Sequence, residues 1–268
     1  EASGHLKNFS DPLVDCKKCK SRFRADEITP PISPPHEGGS GGGVCPACGG
    51  KLTQARQFNL MLKTFLGPVE DKSAVAYFRP ELAQAMFVDF KQVLQTSRKR
   101  IPFGIAQMGK AFRNEITPGN FIFRTREFDL MEIEYFVHPN DWEKYFDMWL
   151  KEMKEWLKFL GVKDNEVVFH EIPDGERAHY SKRTIDIEYK YPFGLKELYG
   201  LAYRTDFDLK SHMEASGVDL TYDDPVTKKK YTPHVIEPTW GINRSLLVTL
   251  LSAYHEEKAP TSEAGESE

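Results

Sequence analysis

Charged residues are interleaved with apolar ones over residues 109–137, and this stretch is the best suited to chemistry. Its charged members include Arg113, Glu115, Arg124, Arg126, Glu127, Glu132 and Glu134. Burying so many charges is costly unless they pair with one another or meet a charged ligand. The guanidinium group is a flat, permanently charged fork that suits phosphate, whereas a carboxylate suits an amine or a metal. The pattern therefore predicts a ligand that carries both phosphate and ammonium.

The elements that position these charges are predicted to form a β-hairpin. Two alternating apolar runs flank the turn-forming residues Thr117-Pro118-Gly119-Asn120. A salt-laced hairpin on the surface is the alternative. Four aromatic residues in the stretch argue for a partly buried sheet instead, namely Phe112, Phe121, Phe123 and Phe128.

The surrounding sequence predicts an α+β fold with an antiparallel sheet. Strands are expected within residues 101–112, 167–191, 199–209 and 234–236, and helices at 80–95, 140–160 and 243–256. The helix at 140–160 carries an apolar stripe of Trp142, Phe146, Trp149, Met153, Trp156 and Leu160. This spacing is typical of core packing against a sheet.

The four cysteines form two CxxC pairs, Cys16 with Cys19 and Cys45 with Cys48. Two such pairs favour a structural zinc site, because thiolates bind zinc and the short spacing lets both sulfurs reach one ion. Disulfides or free thiols are the alternative. With all four thiolates used, the site would be closed and would hold no catalytic water.

Composition limits the other possibilities. The chain has 268 residues and a net charge of −4, with no apolar run long enough to cross a bilayer and no secretory signal. A cytoplasmic protein is expected. It starts without Met and is predicted to be a fragment. Residues 38–43 have the composition of a flexible linker and suggest an engineered splice, with a natural glycine loop as the alternative.

Residues 109–137 resemble motif 2 of the class II aminoacyl-tRNA synthetases, in the version found in the glycyl-tRNA synthetase family. The resemblance implies that Arg113 contacts the α-phosphate of ATP and that Glu132 faces the ammonium of glycine. Residues 234–244 resemble motif 3 of the same family. There the resemblance implies that Arg244 binds the γ-phosphate and that Glu237 and Thr239 line the amino-acid pocket.

Three further segments resemble the same family. They imply that Glu81 binds the ammonium, that Arg24 contacts the substrate, and that Glu197 acts through magnesium or the adenosine. The complete set implied for ATP comprises Arg113, Asn114, Glu115, Phe123, Arg124, Thr125, Arg126, Glu127, Phe128, Glu197, Leu198, Gly241, Ile242, Asn243 and Arg244, of which Arg113 and Arg244 are catalytic. The set implied for glycine comprises Arg24, Glu81, Phe128, Glu132, Glu237 and Thr239.

The resemblance implies a division of the chain into a strand and zinc-knuckle module at 1–57, a catalytic core at 58–257 and a disordered tail at 258–268. Motif 3 would span 234–256 within that core. The implied reaction joins glycine to tRNA(Gly) through glycyl-adenylate, with ATP, Mg²⁺ and a structural Zn²⁺. The family is homodimeric, but motif 1 is not found in this sequence, which leaves a monomer open.

Several residues depart from the family pattern, namely Leu82, Leu195, Tyr199, Tyr203 and Trp240. They could fill the amino-acid pocket or pack in a rearranged core. Two alternatives therefore stay open: an impaired or repurposed binding module, and a synthetase of altered amino-acid specificity. The basic residues beside the first CxxC pair, including Lys17 and Lys18, could meet a tRNA acceptor stem or form a solvated surface.

Overall fold

A six-stranded antiparallel sheet lies at the centre of the computed structural model, which describes residues 2–28 and 43–257. In chain order the helices and strands are α1 (His5–Asn8), β1 (Ser10–Asp15), β2 (Arg22–Arg24), β3 (Arg56–Asn59), β4 (Lys63–Phe65), β5 (Val75–Tyr77), α2 (Ala83–Ser97), β6 (Phe103–Phe112), β7 (Glu127–Val137), α3 (Trp142–Phe159), β8 (Val167–Glu171), β9 (Arg183–Tyr191), β10 (Gly194–Thr205), α4 (Phe207–Ser216), β11 (Tyr222–Asp223), β12 (Lys230–Tyr231), β13 (His234–Gly241) and α5 (Ile242–Ala253). The six strands follow the order β6-β7-β13-β10-β9-β8, and every neighbouring pair is antiparallel. The predicted α+β class is confirmed.

The two faces of this sheet bury different kinds of residue. Because successive side chains of a strand point to opposite faces, β7 sends Ile133 and Tyr135 toward the core beneath α3 and α5. Phe136, in the other parity, joins the core beneath α2. Glu132 and Glu134 share that second parity and are buried. The α2 face therefore carries the buried charges of β7.

Helix α3 packs along the first face, as its apolar stripe predicts. Phe146 and Met153 are completely buried in the main core, and Trp149 packs partly buried against it. The chain leaves the helix at Gly161, whose φ of 80° lies in the left-handed region that glycine adopts without strain.

A separate three-stranded sheet, in the order β2-β1-β3, supports the cysteine pairs. Its core contains Val14, Ala25 and Leu52 together with Cys16 and Cys45. Residues 38–42 of the predicted linker and the predicted disordered tail at 258–268 lie outside the described residues. None of the helices in the described part of the chain is long and apolar enough to span a membrane.

Two predicted elements differ from the structure. The strand expected at 199–209 ends at Thr205, and residues 207–209 begin α4 instead. Thr205 has a φ of 60°, which a β-branched residue seldom adopts and which ends the extended course of the strand. The hairpin of β6 and β7 has a long connection of 14 residues, 113–126, rather than a tight break at 117–120.

Candidate functional site

Three glutamates converge on the α2 face of the sheet and form what we call the acid pocket. Glu132 on β7 and Glu237 on β13 lie on neighbouring strands, and Glu81 comes from the segment just before α2. All three are buried. The register pairs Thr239 directly with Glu132 across the two strands, so the strand period places these side chains on the pocket side. Three buried acids therefore line one cavity.

Arg204 on β10 is the counter-ion of this pocket. Its Nε and Nη2 donate to the two carboxylate oxygens of Asp208, at 2.8 and 2.9 Å. Its Nη1 donates to Glu237 Oε1 at 2.7 Å and lies 3.7 Å from Glu81 Oε2. The ring of Tyr180 lies 3.8 Å from the guanidinium carbon. The guanidinium is thus enclosed by carboxylates and an aromatic face, and it is completely buried.

The glutamates of the pocket titrate in opposite directions. Burial opposes ionisation of Glu81, but Arg204 and His5 outweigh it and lower the pKa of Glu81 to about 2. Burial and the charges of Glu237 and Glu81 raise the pKa of Glu132 to about 8. Burial likewise raises the pKa of Glu237, although Arg204 opposes this. A cation bound in the pocket would therefore favour the ionised forms of Glu132 and Glu237.

A second cavity, which we call the arginine cleft, lies beside the acid pocket. Its lining consists of Arg113, Glu115, Ile122, Phe123, Arg124, Thr125, Phe128, Asp129, Leu130, Glu197, Leu198, Tyr199, Gly200, Thr239, Gly241, Asn243 and Arg244. Arg113, Glu197, Gly200 and Thr239 line the acid pocket as well. The two cavities are therefore continuous.

Arg113 and Arg244 are held by different means at this cleft. Arg113 Nε donates to the Pro80 carbonyl at 3.2 Å, and its guanidinium carbon lies 5.4 and 5.3 Å from the rings of Phe9 and Phe128. Within the described residues no carboxylate lies within ion-pair distance of Arg113. Arg113 therefore forms no direct ion pair there, although its charge acts at longer range on Glu115 and Glu197.

Arg244 begins the last helix and reaches back across the cleft. Its Nη1 donates to the Glu197 carbonyl at 2.8 Å and to Glu197 Oε2 at 3.2 Å, while its Nε donates to the Phe123 carbonyl at 3.2 Å. The guanidinium carbon lies 4.4 Å from the Phe123 ring. Burial alone would raise the pKa of Glu197. The positive charges of Arg244 and Arg113 outweigh burial and lower this pKa.

A β-bulge orients Glu197 toward both cavities. The pairing of β10 with β9 shifts between Glu197 and Tyr199. Without that shift, Glu197 would share the face of Tyr199 and Leu201, which belong to the core beneath α3. The extra residue moves Glu197 to the cleft side, as bulges next to functional sites commonly do.

The structure brings together most of the residues predicted for ATP and leaves four of them aside. Asn114, Arg126, Glu127 and Ile242 do not line the arginine cleft. The backbone N–H of Asn114 donates to the Leu60 carbonyl, Arg126 Nη2 donates to the Glu115 carbonyl, and Glu127 pairs with Lys110. Each of these three is occupied in holding the long loop or the hairpin.

The residues predicted for glycine are distributed in three places. Glu81, Glu132, Glu237 and Thr239 line the acid pocket, and Phe128 lines the arginine cleft. Arg24 lies on the small sheet, where it pairs with Asp11 at 2.6 Å and Asp26 at 2.8 Å. This placement does not support a contact between Arg24 and the amino acid, because its guanidinium is already paired with acids outside the pocket.

The residues that depart from the family pattern mostly face away from the acid pocket. Tyr203 stacks on Trp142 of α3 with ring centroids 4.1 Å apart, and Trp240 packs against Trp149 in the core on the same face. The Tyr199 hydroxyl bonds with Ser245 Oγ at 2.7 Å. Of the two explanations, a rearranged core therefore accounts for Tyr203 and Trp240. Leu82 is buried and its N–H donates to Glu132 at 2.6 Å, while Leu195 is 42% exposed.

The residues that sequence reasoning missed are those that support the pocket. Arg204 and Asp208 received no role, although they stand four residues apart. An arginine at the end of an apolar strand, followed four residues later by an aspartate, is a detectable signal. The predicted strand at 199–209 hides this signal, because it places both residues in one extended segment and omits the strand-to-helix transition at Thr205.

The four cysteine sulfurs form a compact cluster. All of them lie within 4.8 Å of one another, with 3.5 Å between Cys16 and Cys48 and 3.7 Å between Cys19 and Cys45. The backbone N–H groups of Lys18 and Cys19 point at the Cys16 sulfur at 3.4 Å. Sulfurs at the corners of a tetrahedron around zinc are spaced in this range, so the cluster can bind a metal ion.

Comparison with known proteins identifies the relationship. Residues 69–253 match the family model of the tRNA synthetase class II core domain (G, H, P, S and T). The chain is 51% identical over 274 aligned positions to the glycine--tRNA ligase of Alkaliphilus oremlandii, which covers 96% of this chain and 59% of that protein. It is 50% identical to the glycine--tRNA ligase of Treponema denticola, over 96% of this chain and 56% of that protein. The chain thus spans less than two thirds of these curated relatives. The chain therefore belongs to the class II tRNA synthetase core domain family.

Proposed function

We propose that this chain activates glycine with ATP to form glycyl-adenylate and transfers the glycyl group to tRNA(Gly). The main observation in support is that the acid pocket and the arginine cleft share lining residues, which include Arg113 and Thr239. One cavity suits an ammonium and the other a polyphosphate. An amino acid and ATP bound in these two places would meet at Arg113.

In this proposal the amino-acid carboxylate attacks the α-phosphorus and pyrophosphate leaves in line. The carboxylate is already a nucleophile, so the protein contributes mainly position and charge neutralisation. Arg113, which forms no direct ion pair with a described carboxylate, would bind the α-phosphate. Arg244 would exchange its contacts with Glu197 for the terminal phosphate. Proximity of this kind supplies a large part of the barrier reduction.

Glu81, Glu132 and Glu237 would bind the ammonium of the amino acid. Each hydrogen bond that joins an ammonium to a carboxylate is charge-assisted and stronger than a neutral one. Thr239 lines the same pocket and would restrict the space near the α-carbon. A pocket that grips only the ammonium and carboxylate suits the amino acid that has no side chain.

Class II synthetases use ATP together with Mg²⁺, and the cleft contains the oxygen ligands that this ion prefers. Glu115 and Glu197 line the cleft and would hold the ion, which when bound neutralises phosphate charge. The four cysteines fit Zn²⁺ in a closed site that would stabilise the small sheet. Elemental analysis of the purified protein should find one zinc per chain, and Cys16→Ser with Cys45→Ser should abolish it.

The decisive experiment is ATP–pyrophosphate exchange, measured with glycine, alanine and serine in separate reactions. We expect exchange with glycine alone, and we expect Arg113→Glu with Arg244→Glu to abolish it. A matched charge reversal at Arg126, which lies outside the cleft lining, should preserve exchange. Exchange with alanine or serine in preference to glycine would contradict the proposed specificity. Absence of exchange together with unaltered ligand binding by the double variant would favour a non-enzymatic binding module.

A further inference from the structure

Glu134 is a buried acid to which the proposed reaction assigns no role. Its side chain lies in the middle of β7 on the same face as Glu132, and its exposure is 0%. Neither of its two carboxylate oxygens has a hydrogen-bond partner among the described residues. An ionised carboxylate without a donor is very costly to bury. The burial of Glu134 without a hydrogen-bond donor therefore requires a physical explanation.

The surroundings of Glu134 contain more negative than positive charge. One oxygen from each of Glu132, Glu134 and Glu237 lies within 4.8 Å of the others. The facing charged groups are Glu132 on β7, Glu237 on β13, Arg204 on β10 and Asp208 on α4. On the other side its partner on β6 is Ile105, and the buried residues of α2 are all apolar.

Arg204 is the positive group nearest to this cluster, and its donors are used elsewhere. Its hydrogen bonds go to Asp208 and Glu237, and its remaining close carboxylate is Glu81. Glu134 receives none of them. Burial, followed by the charge of Glu237, raises the pKa of Glu134 well above its usual value.

We propose that Glu134 is a neutral carboxylic acid at pH 7 and that it donates its proton in a hydrogen bond to the facing carboxylate of Glu237. It would be a positioning residue beneath the pocket and would not contact the amino acid. A carboxylic acid kept neutral by an apolar site is an effective hydrogen-bond donor. The proposal deepens the proposed function, on which its kinetic arm rests.

The structural consequence is a fixed orientation for the acids that would bind ammonium. Glu132 is held from one side by the Leu82 N–H and Glu237 by Arg204. A donor from below would fix the orientation of the Glu237 carboxylate, whose oxygens keep further lone pairs for a ligand in the pocket. A neutral Glu134 would also add no negative charge beside Glu237.

The substitutions Glu134→Gln and Glu134→Leu distinguish hydrogen-bond donation by residue 134 from an effect of its charge. Glutamine keeps the size and supplies an N–H donor, whereas leucine keeps the approximate size and supplies none. We expect Glu134→Leu to raise the KM for glycine in pyrophosphate exchange by about 10-fold or more, the size of a lost hydrogen bond to a charged group. Glu134→Gln should restore a value near the wild-type one, and the KM for ATP should stay unchanged in both variants.

A spectroscopic measurement tests the protonation without any activity. We expect the infrared spectrum of the wild-type protein at pH 7 to contain a carboxylic C=O band that is missing in Glu134→Gln. The same band should persist in the wild-type protein when the pH is raised past the range in which ordinary carboxyl groups ionise. Glu132 is also protonated near pH 7, so the band is assigned to Glu134 by its persistence in Glu132→Gln, a reading that stands even if Glu134→Gln prevents folding.

The outcomes separate the inference from the function on which its kinetic arm rests. Absence of the carboxylic band, or a band unaffected by Glu134→Gln, would overturn the inference whatever the activity. A KM for glycine that rises as much in Glu134→Gln as in Glu134→Leu would also overturn it, because charge and not donation would then matter. If the wild-type protein shows no exchange but retains the band, the proposed function fails and the neutral acid stands.

Discussion

The acid pocket and the arginine cleft are continuous, yet they hold their charges in opposite ways. In the pocket the arginine is completely buried and bonded to carboxylates through Nε, Nη1 and Nη2. In the cleft the guanidinium of Arg113 contacts a carbonyl and two aromatic rings of the described residues. In the first arrangement the carboxylates of the protein use the donors of the arginine, whereas the second leaves a positive charge available to a ligand. An arginine can therefore be assigned to architecture or to binding by asking how many of its donors the protein already uses.

The two regions also differ in the elements that build them. The pocket is made by adjacent strands, whose alternation fixes which side chains point inward. The cleft is made by a long loop, a bulge and the start of a helix, which are set by tertiary contacts. Stability should therefore depend on the pocket and catalysis on the cleft, and this difference can be tested by variants of each.

The largest effect is expected for Arg204→Met. Removal of this guanidinium leaves Asp208, Glu237 and Glu81 buried without their counter-ion, which costs about 3–5 kcal/mol in the free energy of unfolding. Urea denaturation at pH 7 measures this. Arg22→Met is the matched control, because its side chain is 69% exposed and pairs with Asp15 on the surface, where such a pair contributes about 1 kcal/mol or less. Equal losses in the two variants would remove the distinction between a structural and a surface arginine.

The next effect is on catalysis, for Arg113→Ala. Loss of a charge that stabilises the reacting phosphate should lower the rate of pyrophosphate exchange by about 10²–10³-fold. The free energy of unfolding should fall by only about 1 kcal/mol, since a carbonyl contact and ring contacts are lost. Arg126→Ala in the same loop is the control and should retain exchange. A loss of stability as large as that of Arg204→Met would show that Arg113 is structural after all.

The sequence predicts the pocket better than the cleft for a physical reason. Alternation along β7 fixes the burial of Glu132 once the hairpin is recognised, and the stripe of α3 correctly predicts a helix over the opposite face. The bulge at Glu197 and the left-handed Thr205 are not encoded in any short pattern, because they depend on register between strands distant in sequence. Arg204 was missed for that reason. The loop at 113–126 was predicted too short, since its length is set by packing and not by its turn residues.

A third effect concerns pH and applies to the pocket alone. Glu132, with a pKa of about 8, is mostly protonated in the folded state at pH 7 and about half protonated at pH 8, whereas it is ionised in the unfolded state. The folded state then binds more protons, so stability falls as pH rises, by up to about 1.4 kcal/mol per pH unit for each such proton. His212 and His234, whose pKa values are lowered by burial, act in the opposite direction near pH 7, because the unfolded state binds more protons at these residues. Urea denaturation at pH 7 and pH 8 should show the fall, and it should be smaller in Glu132→Gln. A fall of equal size in that variant would assign the slope to other groups.

The smallest effect on activity is expected for Trp240→Phe, and it tests on which face this departure from the family acts. Trp240 packs in the core beneath α3 and its indole N–H has no partner among the described residues. The substitution should cost about 1–2 kcal/mol of stability. Apolar contacts are lost, but removal of an unsatisfied buried donor offsets part of that loss. The preference for glycine over alanine in pyrophosphate exchange should stay the same, because the residue lies across the sheet from the pocket.

Thr239→Ser, which removes a methyl group from the pocket lining itself, should shift that preference by about 10-fold, as a single methylene can. If Trp240→Phe admits alanine and Thr239→Ser does not, the pocket extends through the sheet and the separation of the two faces is wrong.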